Sequence, residues 1–92
     1  MNSKLEQCQQ ICDELLEMLR KKNEAYGNSF DDTYQKFGLI AVAVRLYDKV
    51  NRLAALANGA KNEVTDESVL DTVKDLAGYA ILTIRAMEDD AK

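Results

Sequence analysis

The stretch Leu5-Glu6-Gln7-Cys8-Gln9-Gln10-Ile11-Cys12-Asp13-Glu14-Leu15-Leu16-Glu17-Met18-Leu19 decides the fold. Its apolar positions 5, 8, 12, 15 and 19 step by three and four, which is the period of a helix and not of a strand. Leu16 and Met18 widen the stripe, so this helix should touch more than one neighbour. The spacing predicts a first helix over residues 4–25, stopped near Tyr26-Gly27-Asn28, where Gly27 can adopt a left-handed cap. Cys8 and Cys12 lie in the stripe and are the only cysteines. Two thiols in a chain without histidine cannot complete a tetrahedral zinc site, and a disulfide at this spacing would distort the helix. Both are expected to be buried apolar positions in a reducing cytoplasm, the alternative being a zinc or disulfide site shared between subunits.

Working outward, Ser29-Phe30-Asp31-Asp32 supplies capping side chains and first-turn acids for a second helix over 32–58, ended by Asn58-Gly59. Leu39, Val42, Leu46, Val50, Leu53 and Leu56 carry its apolar spacing. Gly38 lies inside this pattern, where glycine costs up to about 1 kcal/mol relative to alanine. It either marks a break or admits a close neighbour; a break or kink, with a short extra helix near 30–37, is the preferred reading. Thr65 with Asp66 and Glu67 opens a third helix over 65–88, and Val64 can staple onto Val69. Val69, Val73, Leu76, Ala80, Ile84 and Met87 form its stripe. The expected fold is all-α: three long helices in a thin bundle, one domain over residues 1–92. Helices of about 25 residues are roughly 37 Å long, and three of them enclose little core. Apolar residues off the main stripes, such as Leu16, Ile40, Val44, Leu70, Ile81 and Leu82, also need cover, so a homo-oligomer is expected.

Composition narrows the function. Twelve basic and sixteen acidic residues give a net charge of −4, a poor balance for gripping duplex nucleic acid. At 47% hydrophobic the chain is globular rather than disordered, and no apolar run approaches the roughly 20 residues of a membrane span. The N-terminus lacks the charged-then-apolar form of a signal peptide, so a cytoplasmic location is expected. The absence of histidine removes Ser-His-Asp triads, Cys-His dyads and imidazole metal ligands.

Polar residues inside the helical pattern are the informative ones. Arg45, Asp48, Lys49 and Arg52 fall at i, i+3, i+4 and i+7 on one stripe, and Asp71 and Asp75 share a face of the third helix with Gly78. Two readings compete. The acids can pair with Arg45, Lys49 or Arg52 as ordinary interhelical ion pairs, which contribute of order 0–1 kcal/mol when exposed. Alternatively the stripe lines a site for a phosphate-bearing ligand, gripped by arginine's planar fork or through Mg²⁺ held by carboxylates. Lys22, Tyr26, Gly27, Asn28 and Phe30 offer a second wall, with free backbone N–H groups and aromatic rings able to stack on a base. Its bland counterpart is an interhelical loop whose aromatics plug the core.

The succession Lys21-x-x-x-Ala25-Tyr26-Gly27-Asn28-Ser29-Phe30, then Arg45-Leu46-Tyr47-Asp48-Lys49-Val50-Asn51-Arg52-Leu53, then Asp71-Thr72-Val73-Lys74-Asp75-Leu76-Ala77-Gly78-Tyr79-Ala80, resembles the nucleotide modification associated domain type 1 family, small helical proteins frequent in phage genomes. The likeness runs over roughly residues 18 to 86. A more distant resemblance is to the MazG-like all-α nucleotide pyrophosphatases, which hold Mg²⁺ with Glu-Glu-x-x-Glu on one helix and Glu-x-x-Asp on the next. Asp71 and Asp75 would stand for the second motif, though at i, i+4 rather than i, i+3. Asp48 alone would survive from the first, among cations. Fewer carboxylates hold metal less well, and no histidine is present to activate water.

The resemblance implies a nucleotide ligand, and two functions follow. One is a phage protein in the host cytoplasm that sequesters a nucleotide or cyclic-nucleotide immune signal without cleaving it, by analogy with the small oligomeric helical proteins that phages direct against CBASS and Thoeris defences. Arg45, Lys49 and Arg52 would hold phosphates, Tyr26 or Tyr79 would stack on a base, and Asp71 or Asp75 would orient arginines; no cofactor is needed. The other is a Mg²⁺-dependent nucleoside triphosphate pyrophosphatase, with metal on Asp48, Asp71 and Asp75. A helical assembly or adaptor module, its polar stripes only ion pairs, is the third reading. Expected partners are a nucleotide-type small molecule and further copies of the chain, with neither duplex nucleic acid nor membrane.

Overall fold

The computed structural model describes residues 3–26, 28–59 and 69–91. They form four helices and no strand: α1 (Ser3–Tyr26), α2 (Ser29–Phe37), α3 (Leu39–Ala57) and α4 (Val69–Asp90). Among the described residues no helix is long and apolar enough to cross a membrane.

The expected second helix is two. Gly38 divides them, with φ +71° and ψ −156°, serving as C-cap of α2 and N-cap of α3. Its N–H donates to the Tyr34 carbonyl at 2.7 Å, closing α2, and its own carbonyl accepts from the Ala41 N–H at 3.2 Å, opening α3. That backbone conformation is open essentially to glycine alone, which gives the break expected at this residue its physical cause. α2 begins three residues before the expected Asp32, because the Asn28 carbonyl already accepts the Asp32 N–H at 3.0 Å. α3 ends on Asn58 and on Gly59, at φ +93°. The Gly27 cap, the Thr65 N-cap with Asp66 and Glu67, and the Val64–Val69 staple lie outside the described residues.

α3 and α4 pack antiparallel: Lys49 meets Asp75, and Arg45, one turn back along α3, meets Tyr79, one turn on along α4. α1 lies against α4 through its second half, where Leu19 and Met18 approach Gly78. α2 folds back across α3 and reaches the end of α4 through Tyr34, whose hydroxyl donates to Asp90 at 2.7 Å. The result is a slab of 43 × 39 × 23 Å. Its core is small: Leu15, Val42 and Ala86, with Thr72 and Gly78 also buried.

The expectation that Cys8 and Cys12 are buried is wrong; both are exposed and free. The first half of α1, Ser3 to Glu14, is exposed throughout because the helix meets α4 only farther along, from Leu15 onward. Leu5, at the head of the predicted stripe, is exposed for the same reason.

Candidate functional site

Where α1 crosses α4, a cleft of about 630 Å³ opens, walled by the start of α2 and floored in part by α3. That volume falls within the range of small-molecule sites, roughly 300–1,000 Å³. Gly78 sets its depth: the residue is buried, and a Cβ there would stand 3.2 Å from Leu19 Cδ2. The missing side chain lets α1 approach α4 closely.

Four cations line the cleft, Arg20, Lys22, Arg45 and Arg85, against two carboxylates, Asp31 and Asp75. Three of the cations are engaged by acids. Arg20 pairs with Glu17 and Glu24 within α1. Arg85 pairs with Asp31 of α2 and Asp89 of α4. Lys22 pairs with Asp75. Arg45 differs. It is half-buried, and among the described residues no carboxylate lies within ion-pair distance of it. Its guanidinium carbon sits 5.9 Å from the centre of the Tyr79 ring, and Nη2 donates a long 3.5 Å hydrogen bond to Thr33 Oγ1. Phe30 stands beside the same ring at 6.3 Å between centroids, and beside Tyr34 at 6.3 Å, nearly parallel. A cation over an aromatic face is attracted by the ring's quadrupole, but that attraction does not replace the hydrogen bonds the guanidinium fork can still donate.

At one end of the cleft, Asp75 of α4 accepts hydrogen bonds from Lys22 of α1 and Lys49 of α3, each at 3.0 Å. Burial by itself pushes the Asp75 carboxyl up, and the hydrogen bonds and charges of the two lysines together outweigh it, holding the group below its ordinary value. This one carboxylate ties three helices together.

Of the residues singled out from sequence, Lys22, Asn28, Arg45, Asp75 and Tyr79 line the cleft, and Lys49 joins it through Asp75. Arg52 is half-buried farther along α3, and Asp48 and Asp71 are exposed and away from the lining. Gly27 and the side chain of Tyr26 lie outside the described residues. Among the described residues no three acids or thiols gather where a metal ion could be held. The cleft also uses Arg20, Asp31 and Arg85, which the sequence reading did not single out. Arg85 had a signal. Continuing the Asp75–Gly78 face of α4 by steps of four and three reaches Leu82 and Arg85, both in the lining.

Residues 22–87 match the nucleotide modification associated domain 1 family, well over half of the 92 residues. The chain belongs to that family. The matched segment opens on Lys22 and contains α2, α3 and nearly all of α4, so of the cleft's cations only Arg20 stands outside it. Cys8, Cys12 and the exposed first half of α1 also lie outside the family segment. No curated protein and no solved structure matches the chain.

Proposed function

We propose that the cleft binds a phosphate-bearing nucleotide and holds it uncleaved, so that the protein acts by sequestration. The observation that carries this reading is Arg45, a half-buried guanidinium with no carboxylate partner among the described residues, set against Tyr79 in an open cleft. Keeping a cation part-buried and unmatched is costly unless an anion completes the site. A phosphate offers paired oxygens to the planar fork, while Tyr79 and Phe30 provide faces for a base. The family description, which associates the domain with nucleotide modification, is consistent with a ligand of this class. The phage resemblance extends the reading to a nucleotide immune signal of the host.

The donor set supports holding over cutting. Asp75 is occupied by two lysines, and Asp48 and Asp71 stand away from the cleft lining, so the three acids do not present a joint face to a divalent ion. Binding through cations needs no metal.

A release assay tests the proposal. Purified protein is incubated with a panel of nucleoside triphosphates and cyclic nucleotides, in Mg²⁺ and in EDTA, and the filtrate is chromatographed before and after heat denaturation. The expected result is a nucleotide that disappears in either buffer and returns unchanged on heating. Conversion to product only in Mg²⁺ would replace sequestration by pyrophosphatase activity. No depletion of any member would remove the nucleotide reading.

A further inference from the structure

Helix α3 is apolar on two sides, since Val42 is buried and Leu46, Leu53 and Leu56 are half-buried on its inward side. Its charged residues are Arg45, Asp48, Lys49 and Arg52, and three of them, Arg45, Lys49 and Arg52, are half-buried. The opposite side carries Ile40, Val44, Tyr47 and Val50, which are 69%, 55%, 67% and 51% exposed. A surface helix ordinarily places its polar residues outward and its apolar ones inward. With Ala43 and Ala54, the outward residues of α3 recur by steps of three and four from position 40 to 54, with no charge among them. α4 repeats the arrangement. Leu70, Val73, Ala77, Ala80, Ile84 and Met87 step 3-4-3-4-3, again without a charge, and the four large ones are exposed. This is the spacing by which helices interlock side chains with another helix.

We infer that the α3 and α4 seams are self-association surfaces, covered by a second copy of this chain. Area supports a copy as the occupant. A folded monomer of 10.3 kDa exposes about 5,400 Å², whereas this chain exposes 7062 Å². The excess, roughly 1,700 Å², belongs to the whole chain, the exposed first half of α1 included, and is large enough to contain the ~800 Å² per partner of a standard stable interface. Chemistry agrees. Neither seam carries a charge with which to select a partner of opposite sign, while both share one period, so each is a fitting counterpart for the other. The inference is independent of the nucleotide reading, since the seams lie outside the residues that grip Arg45 and Asp75.

Sedimentation equilibrium of the full chain tests it, together with thermal melts followed by circular dichroism. The expected result is a dimer or larger assembly at micromolar concentration, with a Tm that rises as protein concentration rises. Tyr47→Lys and Ile84→Lys change side chains directed to solvent in the single chain. Each should weaken association by more than roughly tenfold, because an unpaired ammonium would be buried at the seam. A monomer at 100-fold higher concentration with a concentration-independent Tm overturns the inference. So does a wild-type assembly that both variants, folded by circular dichroism, leave unchanged, since the contact would then lie elsewhere, as on the exposed half of α1. A concentration-independent Tm of the wild type overturns the inference even where a variant fails to fold.

Discussion

Replacing Gly38 by alanine gives opposite signs under the two ways of reading the residue. In an uninterrupted helix, Gly→Ala stabilises by about 1 kcal/mol. At φ +71° and ψ −156° it should instead destabilise, because an L residue with a Cβ pays roughly 1–3 kcal/mol to hold that region. The site isolates the backbone term: a Cβ built on Gly38 meets nothing within 4 Å, so neither a clash nor a new contact adds to the result. Urea unfolding followed by circular dichroism at 222 nm, at fixed protein concentration, reads the difference. With a slope of about 1 kcal/mol per molar for a chain of this size, the midpoint should fall by about 1 M or more. An unchanged or raised midpoint would show that α2 and α3 do not require this turn. α2 would then not depend on Gly38 to bring Phe30 and Thr33 to Arg45.

Further outcomes follow from the cleft. Arg45→Gln should weaken retention of whichever nucleotide the release assay recovers by about 10- to 100-fold, the range of a lost charged hydrogen bond, while leaving the urea midpoint nearly unchanged, since no ion pair is broken; equilibrium dialysis against the labelled nucleotide reads the first. Asp75 is held below its ordinary pKa of 3.8, so its contribution is present at neutral pH and is lost as pH falls below the unfolded value and through the folded one. Asp75→Asn should therefore lower stability at pH 7 and flatten the acid limb of a stability curve taken between pH 3 and 7. Gly78→Val places a branched side chain where Leu19 already stands 3.2 Å from a Cβ, and should cost about 1–3 kcal/mol by overpacking, read as a fall in Tm.

The helices were legible because their apolar periods are local. The α1 stripe from Leu5 to Leu19, and the pairing of Asn58 with Gly59, depend on residues a few positions apart. Gly38 could be suspected but not resolved, since its meaning turns on a φ value that composition does not encode. The cysteines were misread because the stripe shows which face is apolar and not how far a neighbour extends along it; α1 is exposed up to Glu14 and first buried at Leu15. In the candidate site, the Lys49–Asp75 bond was visible as matching stripes of opposite charge. Which arginine would be left without a carboxylate was not, because pairings such as Arg85 with Asp31 join residues 54 positions apart. The second apolar side of α3 was half visible: its charges sat in the middle of an apolar helix, and only packing against α4 shows which side faces in.

The lysine–carboxylate–lysine bracket at Asp75 is unequal in its parts. Losing Lys22 or Lys49 leaves one cation beside one anion, a neutral pair that still joins two helices. Losing the carboxylate takes from both ammonium groups the acceptor they share, so neither α1 nor α3 keeps this bond to α4. The joint therefore behaves as an arch does: either flank tolerates replacement, and the keystone does not. A substitution scan of this domain should find position 75 intolerant and positions 22 and 49 permissive. Since α1 and α3 both reach α4 through that one carboxylate, a single substitution there is felt at the packing of three helices at once.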